Sequence, residues 1–311
     1  MRTKPVGPID RLWYVTKRDK WLLMMVVPGI VFFILFHFLP LYGVIIAFKD
    51  FSVGRGIMGS PWADPWYRHF EQFFRSFFFF RLVRNTFQIS LYSLLWGFPV
   101  PIMFALLLNE LRDGPFKKIT QTISYMPHFV STVVLTGIII NMLAPSNGLI
   151  NNIIFSLGGT RHSFLTDRTW FRSIFIGTGI WMSFGFSSII YIASLAGIDP
   201  QLYEAARIDG AGRWKCMWHI SLPGISNTTI ILLILSLGNL LRVGYERMIL
   251  MYSTPVFEVA DVISTYTFRT GLLDTQYSFA AAVGLFNSVV SVVMLVTFNR
   301  VARKVSSVSI W

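Results

Sequence analysis

Residues 21–48 read WLLMMVVPGIVFFILFHFLPLYGVIIAF and contain no Asp, Glu, Lys or Arg. A helix needs about 20 apolar residues to cross the roughly 30 Å hydrocarbon core of a bilayer, and this stretch exceeds that length. The basic residues that precede it resemble the start of a secretory signal, but no small-residue cleavage site follows. We therefore interpret 21–48 as a retained first transmembrane helix.

The composition of the whole chain supports a membrane protein. Of 311 residues, 54% are hydrophobic and 14% are charged, against about 25% charged residues in an ordinary soluble domain. The net charge of +12 suits loops that face an anionic membrane surface, so we do not infer nucleic-acid binding. The single cysteine, Cys216, excludes an intrachain disulfide and a thiolate metal cluster.

Five more apolar stretches follow, and none alternates with the period of a β-strand. Backbone groups in lipid must pair within their own segment, so we predict an all-α, polytopic membrane protein with six transmembrane helices. Lys and Arg are denser in the segments that lie inside if both termini are cytoplasmic. The predicted organisation is a cytoplasmic segment 1–20, a transmembrane domain 21–298 and a cytoplasmic tail 299–311. The five further spans are predicted at 85–108, 123–143, 174–195, 225–241 and 279–298.

The loop between the fourth and fifth spans has its own local structure. Residues 196–225 read AGIDPQLYEAARIDGAGRWKCMWHISLPGI. Asp199 is a suitable N-cap, Pro200 fits the first helical position, and Gly210 suits a left-handed C-cap. We predict one short helix over 201–209 and a second over 212–220, with Pro223 ending it near the next span.

This loop resembles the EAA loop of binding-protein-dependent ABC importer permeases. The resemblance rests on Glu204-Ala205-Ala206, Asp209-Gly210-Ala211, Ile220 and Leu222-Pro223. It implies a type I ABC importer permease fold, in which the coupling loop 196–224 docks into a groove on a cytoplasmic ATPase subunit. Carried over to this chain, the expected ATPase-coupling residues are Glu204, Ala205, Ala206, Asp209, Gly210 and Ala211.

Weaker resemblances point to a narrower group, the permeases for oligosaccharides and polysaccharide fragments. Such permeases work with an extracytoplasmic solute-binding protein, a second permease subunit, usually as a heterodimer, and a pair of ATPase subunits in the bacterial cell membrane. The chain contains no P-loop sequence, so ATP and Mg are expected on the ATPase subunits and no cofactor on this chain. The resembling segments are 41–43, 47–51, 85–86, 126–129 and 148–151.

Polar and aromatic side chains inside the predicted spans are candidates for the saccharide pathway, because sugar hydroxyls need hydrogen-bond partners and sugar faces pack on rings. Hydrogen bonding between helices is the alternative role for the same side chains. The first outer loop is a candidate for contact with the binding protein or for an interfacial helix whose rings lie among lipid headgroups. We favour the interfacial helix for 73–80, and both roles stay open for Trp62 and Trp66. The pathway candidates are Tyr92, Trp181, Tyr191, Asn239 and Asn287.

Three other functions remain open from the residues. The five histidines are scattered without metal-ligand spacing, which argues against a membrane enzyme. The spans hold almost no acidic groups, which argues against an ion-driven secondary transporter. The same kind of importer could carry a different cargo. The alternatives are a non-sugar substrate and an acidic sugar whose carboxylates pair with the arginines of the outer loops.

Overall fold

The computed structural model describes residues 19–241 and 243–305. Most of the predicted N-terminal segment 1–20 and the last six residues of the predicted tail lie outside these ranges. The described chain is mostly helical and forms no β-strand, apart from an isolated bridge between Lys49 and Trp62. The main helices are α1 (Lys20–Phe48), α2 (Arg68–Phe74), α3 (Phe79–Asn109), α4 (Pro115–Phe129), α5 (Thr132–Met142), α6 (Leu149–Ser156), α7 (Arg168–Ala196), α8 (Pro200–Ile208), α9 (Arg213–Gly224), α10 (Ser226–Gly238), α11 (Tyr245–Met251), α12 (Ile263–Phe268) and α13 (Tyr277–Val305).

The all-α membrane fold is confirmed. Within the described residues, four helices are long and apolar enough to cross a membrane: α1, α3, α7 and α13. The bent pairs α4–α5 and α9–α10 raise the number of spans to six if each pair crosses once. The most apolar window of α1 has no buried side chains, so most of this helix projects away from the rest of the chain.

The third predicted span, 123–143, is not one straight helix. The chain turns by 103° between α4 and α5, where Val130 and Ser131 adopt extended backbone angles. The Ser131 hydroxyl accepts a hydrogen bond from the Val134 N–H at 3.3 Å and so begins a new helix. An average hydropathy over 123–143 did not reveal this break, because an average does not show where one helix ends and the next begins.

The second span begins at Phe79, earlier than the expected residue 85, because a cluster of aromatic rings packs in front of it. Phe73 is fully buried, with its ring 5.1 Å from that of Phe79 and 5.4 Å from that of Phe286 on α13. The interpretation of 73–80 as an interfacial helix was therefore wrong at Phe73, which is a core residue. Phe77 and Phe80 are exposed, as an interfacial role requires.

Asn85 joins three parts of the chain. Its side-chain amide donates hydrogen bonds to the main-chain carbonyls of Glu258 (2.9 Å) and Asp261 (3.0 Å), and its oxygen accepts one from Arg172 on α7 (2.8 Å). Asn85 is fully buried, so each bond stabilises the fold against the cost of an unpaired polar group. The network fixes α3 and α7 relative to the 253–262 segment that leads into α12.

Helix α7 is the central scaffold, and it packs against α3 and α4. Gly185 allows the closest of these approaches, because a side chain there would overlap the Ser124 carbonyl of α4. Asp167 caps the start of α7, and hydrogen bonds from Thr169 and the nearby His162 hold the pKa of the Asp167 carboxyl below its usual range. The cap fixes the first turn of a helix that forms one wall of the cleft described below.

Candidate functional site

Residues 199–224 form a helix–turn–helix, called the hairpin below. The Asp199 carboxylate accepts a hydrogen bond from the Gln201 N–H at 3.0 Å, which begins α8 as predicted. Gly210 has φ of +78°, the left-handed conformation expected at a C-cap. The Ala211 N–H donates to the Ala206 carbonyl at 2.8 Å across this turn. The first predicted helix, its N-cap at Asp199 and the left-handed turn at Gly210 are therefore confirmed.

The second arm of the hairpin is longer than predicted and less regular. Helix α9 extends to Gly224, includes a π turn at Met217–Ser221, and meets α10 at 59°. The Tyr203 hydroxyl lies 2.9 Å from the Ser221 hydroxyl, which joins the two arms. Cys216 is buried between them. The two arms of the hairpin are thus joined to each other, and the hairpin connects the C-terminal end of α7 to the N-terminal end of α10.

The predicted coupling residues lie along the free surface of this unit. Glu204, Ala205, Asp209 and Gly210 are exposed, while Ala206 and Ala211 are half-buried. The sequence analysis missed two apolar side chains beside them, Ile208 at 86% exposure and Trp214 at 67%. An isolated apolar residue at the end of a polar helix was the available signal for Ile208. Exposed apolar groups of this size favour a partner surface.

A polar cleft of about 710 Å³ lies between the hairpin and the end of α3. Its walls carry charges of both signs, with Glu110 and Arg112 opposite Glu204, Arg207 and Arg213. Such a mixed-charge surface suits a protein partner that presents charges of its own.

A second cleft, called the interhelical cleft below, lies between α3, α7 and α10 and has a volume of about 690 Å³. That volume is in the range of ligand pockets. Five serines and the rings of Phe98, Phe175, Phe186 and Tyr191 are among the residues that line it. The residues used below are Ser90, Ser93, Phe175, Gly179, Ser183, Ser187, Tyr191, Ser236, Asn239 and Arg247.

The interhelical cleft brings together two of the five predicted pathway residues, Tyr191 and Asn239. Tyr92 and Trp181 are exposed at 42% and 45% and do not line it. Asn287 is half-buried on α13 and also lies outside it, with a side-chain oxygen that has no partner. The five residues therefore do not form one site within this chain.

The cleft residues that sequence reasoning missed are the serines and Arg247. Short hydroxyl side chains are common in membrane helices, and Arg247 counted only as an outer-loop cation. Their convergence depends on how α3, α7, α10 and α11 pack, which no local sequence pattern encodes.

Trp62 and Trp66 both lie on the surface, at 63% and 61% exposure. The Lys49 ammonium group is 5.1 Å from the centre of the Trp62 ring, and the Phe48 ring is 5.9 Å from that of Trp66. The two indoles lie near the C-terminal end of α1, and their exposure leaves both accessible to a partner.

Metal binding finds no support in the described ranges, where no group of three or more His, Cys, Asp or Glu side chains could hold an ion.

Comparisons with known proteins agree with the geometry. The family described as "Binding-protein-dependent transport system inner membrane component" matches residues 97–307, which include the hairpin and the interhelical cleft almost entirely. The polygalacturonan/rhamnogalacturonan transport system permease protein YteP of Bacillus subtilis (strain 168) is 42% identical, over 92% of this chain and 89% of its own.

Two crystal structures have the same fold. A bacterial ABC transporter involved in the import of the acidic polysaccharide alginate matches with a TM-score of 0.86 and 42% identity, over 95% of this chain and 99% of its own. A bacterial alginate ABC transporter in complex with an alginate pentasaccharide-bound periplasmic protein matches with a TM-score of 0.87 and 41% identity, over 96% and 100%.

The predicted resemblance to binding-protein-dependent ABC importer permeases is thus confirmed, and so is the sugar-type function. Permease subunits of this family have no ATPase site of their own, as expected for this chain. The chain belongs to the family of binding-protein-dependent transport system inner membrane components, and it is a permease subunit of a sugar ABC importer.

Proposed function

We propose that the hairpin is the site at which a cytoplasmic ATPase subunit drives this permease, and that the transporter imports acidic oligosaccharides or polysaccharide fragments. The complete machine pairs this chain with a second permease subunit, two ATPase subunits that bind ATP and Mg, and an extracytoplasmic binding protein. Both chain termini are cytoplasmic in the bacterial cell membrane, which places the hairpin on the ATPase side and Trp62 and Trp66 on the binding-protein side.

The observation that carries the ATPase contact is the exposed apolar surface at the tip of the hairpin. Ile208 is 86% exposed beside Gly210, in a segment whose polar residues would otherwise only face water. Docking against a second protein removes this surface from water, and burial of an isoleucine side chain stabilises an interface by about 1.5–3 kcal/mol. The brace between Tyr203 and Ser221 keeps the tip rigid enough to transmit force.

The acidic cargo is supported by the relatives. YteP is named for polygalacturonan and rhamnogalacturonan transport, and one matching structure is of an importer for the acidic polysaccharide alginate. The cleft also suits a sugar, because its serine hydroxyls and aromatic rings provide the two kinds of contact that sugars make.

Cross-linking tests the ATPase contact. In a Cys216→Ala background, Ile208→Cys provides one exposed thiol on the hairpin, and Leu157→Cys provides one of matched exposure, 82%, in the loop after α6. A maleimide–diazirine reagent, attached to the introduced thiol and then photoactivated to insert into a neighbouring bond, should join Ile208→Cys to the ATPase subunit in the assembled transporter, and Leu157→Cys should give no such product. Equal yields from the two variants, or a product from Leu157→Cys alone, would reject the contact.

Uptake tests the cargo. The complete transporter in proteoliposomes, supplied with its binding protein and internal ATP, should accumulate a galacturonate trisaccharide and not maltotriose. Dissipating ion gradients should leave uptake intact, and omitting ATP should abolish it. Accumulation of maltotriose without galacturonate would reject an acidic cargo.

A further inference from the structure

Arg247 stands in the wall of the interhelical cleft without a partner for its charge. Its Nε is buried and has no hydrogen-bond partner, and among the described residues its only side-chain hydrogen bond runs from Nη1 to the Met182 sulfur, at 4.0 Å. No described carboxylate forms an ion pair with it. The neighbouring Glu246 is exposed, and adjacent residues on a helix point to different faces.

The other partly buried arginines in the described ranges each have an oxygen partner, either a carboxylate or a neutral amide or carbonyl oxygen. Arg269 donates to the Asp261 carboxylate at 2.7 Å, and Arg172 donates to Asn85 at 2.8 Å and to the Val259 carbonyl at 3.1 Å. Buried cations are normally paired, because removing them from water without compensation is costly. The unpaired state of Arg247 is therefore an exception that needs a reason.

The structure holds the Arg247 guanidinium in a defined position. Its central carbon lies 4.1 Å from the centre of the Phe175 ring, a cation–π contact. The guanidinium also lies against Gly179, one turn further along the same helix α7, where any Cβ would overlap Nη1 and Nη2. Gly179 lies about 16 Å along the axis of α7 from its first residue, which places the group well inside the membrane-crossing region. A charged group at this depth usually marks a substrate path.

A second unpaired group faces the same cleft. The Ser90 hydroxyl is buried, at 6% residue exposure, and has no hydrogen-bond partner. Ser183 and Ser236 donate their hydroxyl protons to the main chain of their own helices, at 2.9 and 2.7 Å, and so keep oxygen lone pairs for a ligand. The cleft thus combines one cation with several hydroxyl groups and no described acidic side chain.

We infer that Arg247 is the carboxylate-binding residue of the translocation pathway, and that the cleft serines bind the hydroxyls of the same sugar unit. The inference rests on the acidic cargo proposed above and assigns it to one site. A guanidinium offers two parallel N–H groups to a carboxylate, and Phe175 and Gly179 hold it in a fixed plane for that purpose. A neutral sugar would leave the charge of Arg247 uncompensated, so this residue determines specificity.

Equilibrium binding to the complete transporter in nanodiscs, without binding protein or ATP, tests the site separately from transport. The probes are a tritiated galacturonate trisaccharide and its methyl ester. Arg247→Gln should weaken binding of the acid about tenfold or more and leave binding of the ester unchanged, and Arg247→Lys should restore part of the affinity. Arg75→Gln, which removes an exposed cation paired with Glu71, should bind both probes like the wild type.

Gly179→Ala provides a second perturbation that keeps the arginine. The added methyl group displaces the guanidinium, so it should weaken binding of the acid as Arg247→Gln does. Gly177→Ala, on the same helix with nothing within 4 Å of its Cβ position, is the matched control.

The inference is overturned if Arg247→Gln binds the acid as tightly as the wild type, if both probes are lost together, or if the wild type binds neither. Intact acid-specific binding together with failed uptake would instead reject the proposed function and leave the site in place.

Discussion

The turn at Gly210 allows the energetics of coupling to be predicted from backbone geometry. Gly210 has φ of +78°, and nothing lies within 4 Å of the position that a Cβ would occupy. Replacement by alanine therefore meets no neighbour, and its whole effect is conformational. A residue with a Cβ in the left-handed region costs about 1–2 kcal/mol.

Gly212 is the matched control. It lies two residues further along the same turn, its Cβ position is equally open, and its φ of −75° and ψ of 169° suit any residue. Gly210→Ala should weaken docking of the ATPase subunit about 5- to 30-fold, the range that 1–2 kcal/mol gives. Gly212→Ala should dock like the wild type, and Gly210→Asn should lie between them, because Asn tolerates the left-handed region.

The assay is a fluorescence titration of labelled ATPase subunits onto the permease pair in nanodiscs, with ATP hydrolysis and uptake measured on the same preparations. Gly210→Ala should also lower uptake per ATP hydrolysed at saturating ATPase. If Gly210→Ala and Gly212→Ala give the same dissociation constant, the left-handed turn does not contribute to docking, and the coupling role of Gly210 is wrong.

Two further predictions concern the scaffold. Gly185→Ala should lower the unfolding free energy by about 1–3 kcal/mol, because the added methyl group overlaps the Ser124 carbonyl. The control Gly177→Ala should not destabilise the protein, because nothing lies within 4 Å of its Cβ position. Thermal unfolding in detergent measures both variants. Asp261→Asn should lower the unfolding free energy by about 2 kcal/mol, because it removes the fully buried carboxylate that pairs with Arg81 and Arg269. The control Glu258→Gln removes an exposed carboxylate and should change the unfolding free energy by less than about 1 kcal/mol. Equal melting temperatures within either pair would contradict the corresponding argument.

The features that the sequence predicted well are those encoded locally. The apolar stretch 21–48 exceeds the bilayer thickness by composition alone, and the hairpin follows from Asp199, Pro200 and Gly210, whose preferences act over one helical turn. The match of the hairpin to the EAA loop then led to the family.

The features that the sequence did not predict depend on distant contacts. The break at Ser131 lies within a stretch predicted as one span, and a hydropathy average cannot distinguish one long helix from two short ones. Arg247 becomes a site residue only because Gly179 and Phe175, on another helix, receive its guanidinium. Three of the predicted pathway residues lie outside the cleft for the same reason, since polarity in a span does not specify which way a side chain faces.

The packing between the hairpin and the adjacent ends of α7 and α10 determines which surfaces move during transport. Helix α7 lines the interhelical cleft and leads directly into the hairpin, and α10 leaves the hairpin and lines the cleft again. The hydroxyls of Ser194 and Thr228 lie 2.9 Å apart and join these two helices.

The end of α3 belongs to the same body. One buried cluster packs Ile102 and Leu106 of α3 against Tyr191 of α7, Met217 of the hairpin and Ile225 before α10. Close-packed interiors of this kind shift as rigid units and do not deform continuously. A push on the hairpin should therefore rotate all three walls of the cleft together. In the transporter proposed above, opening and closing should then occur against the second permease subunit, and the interhelical cleft should form one face of a pathway that this subunit completes.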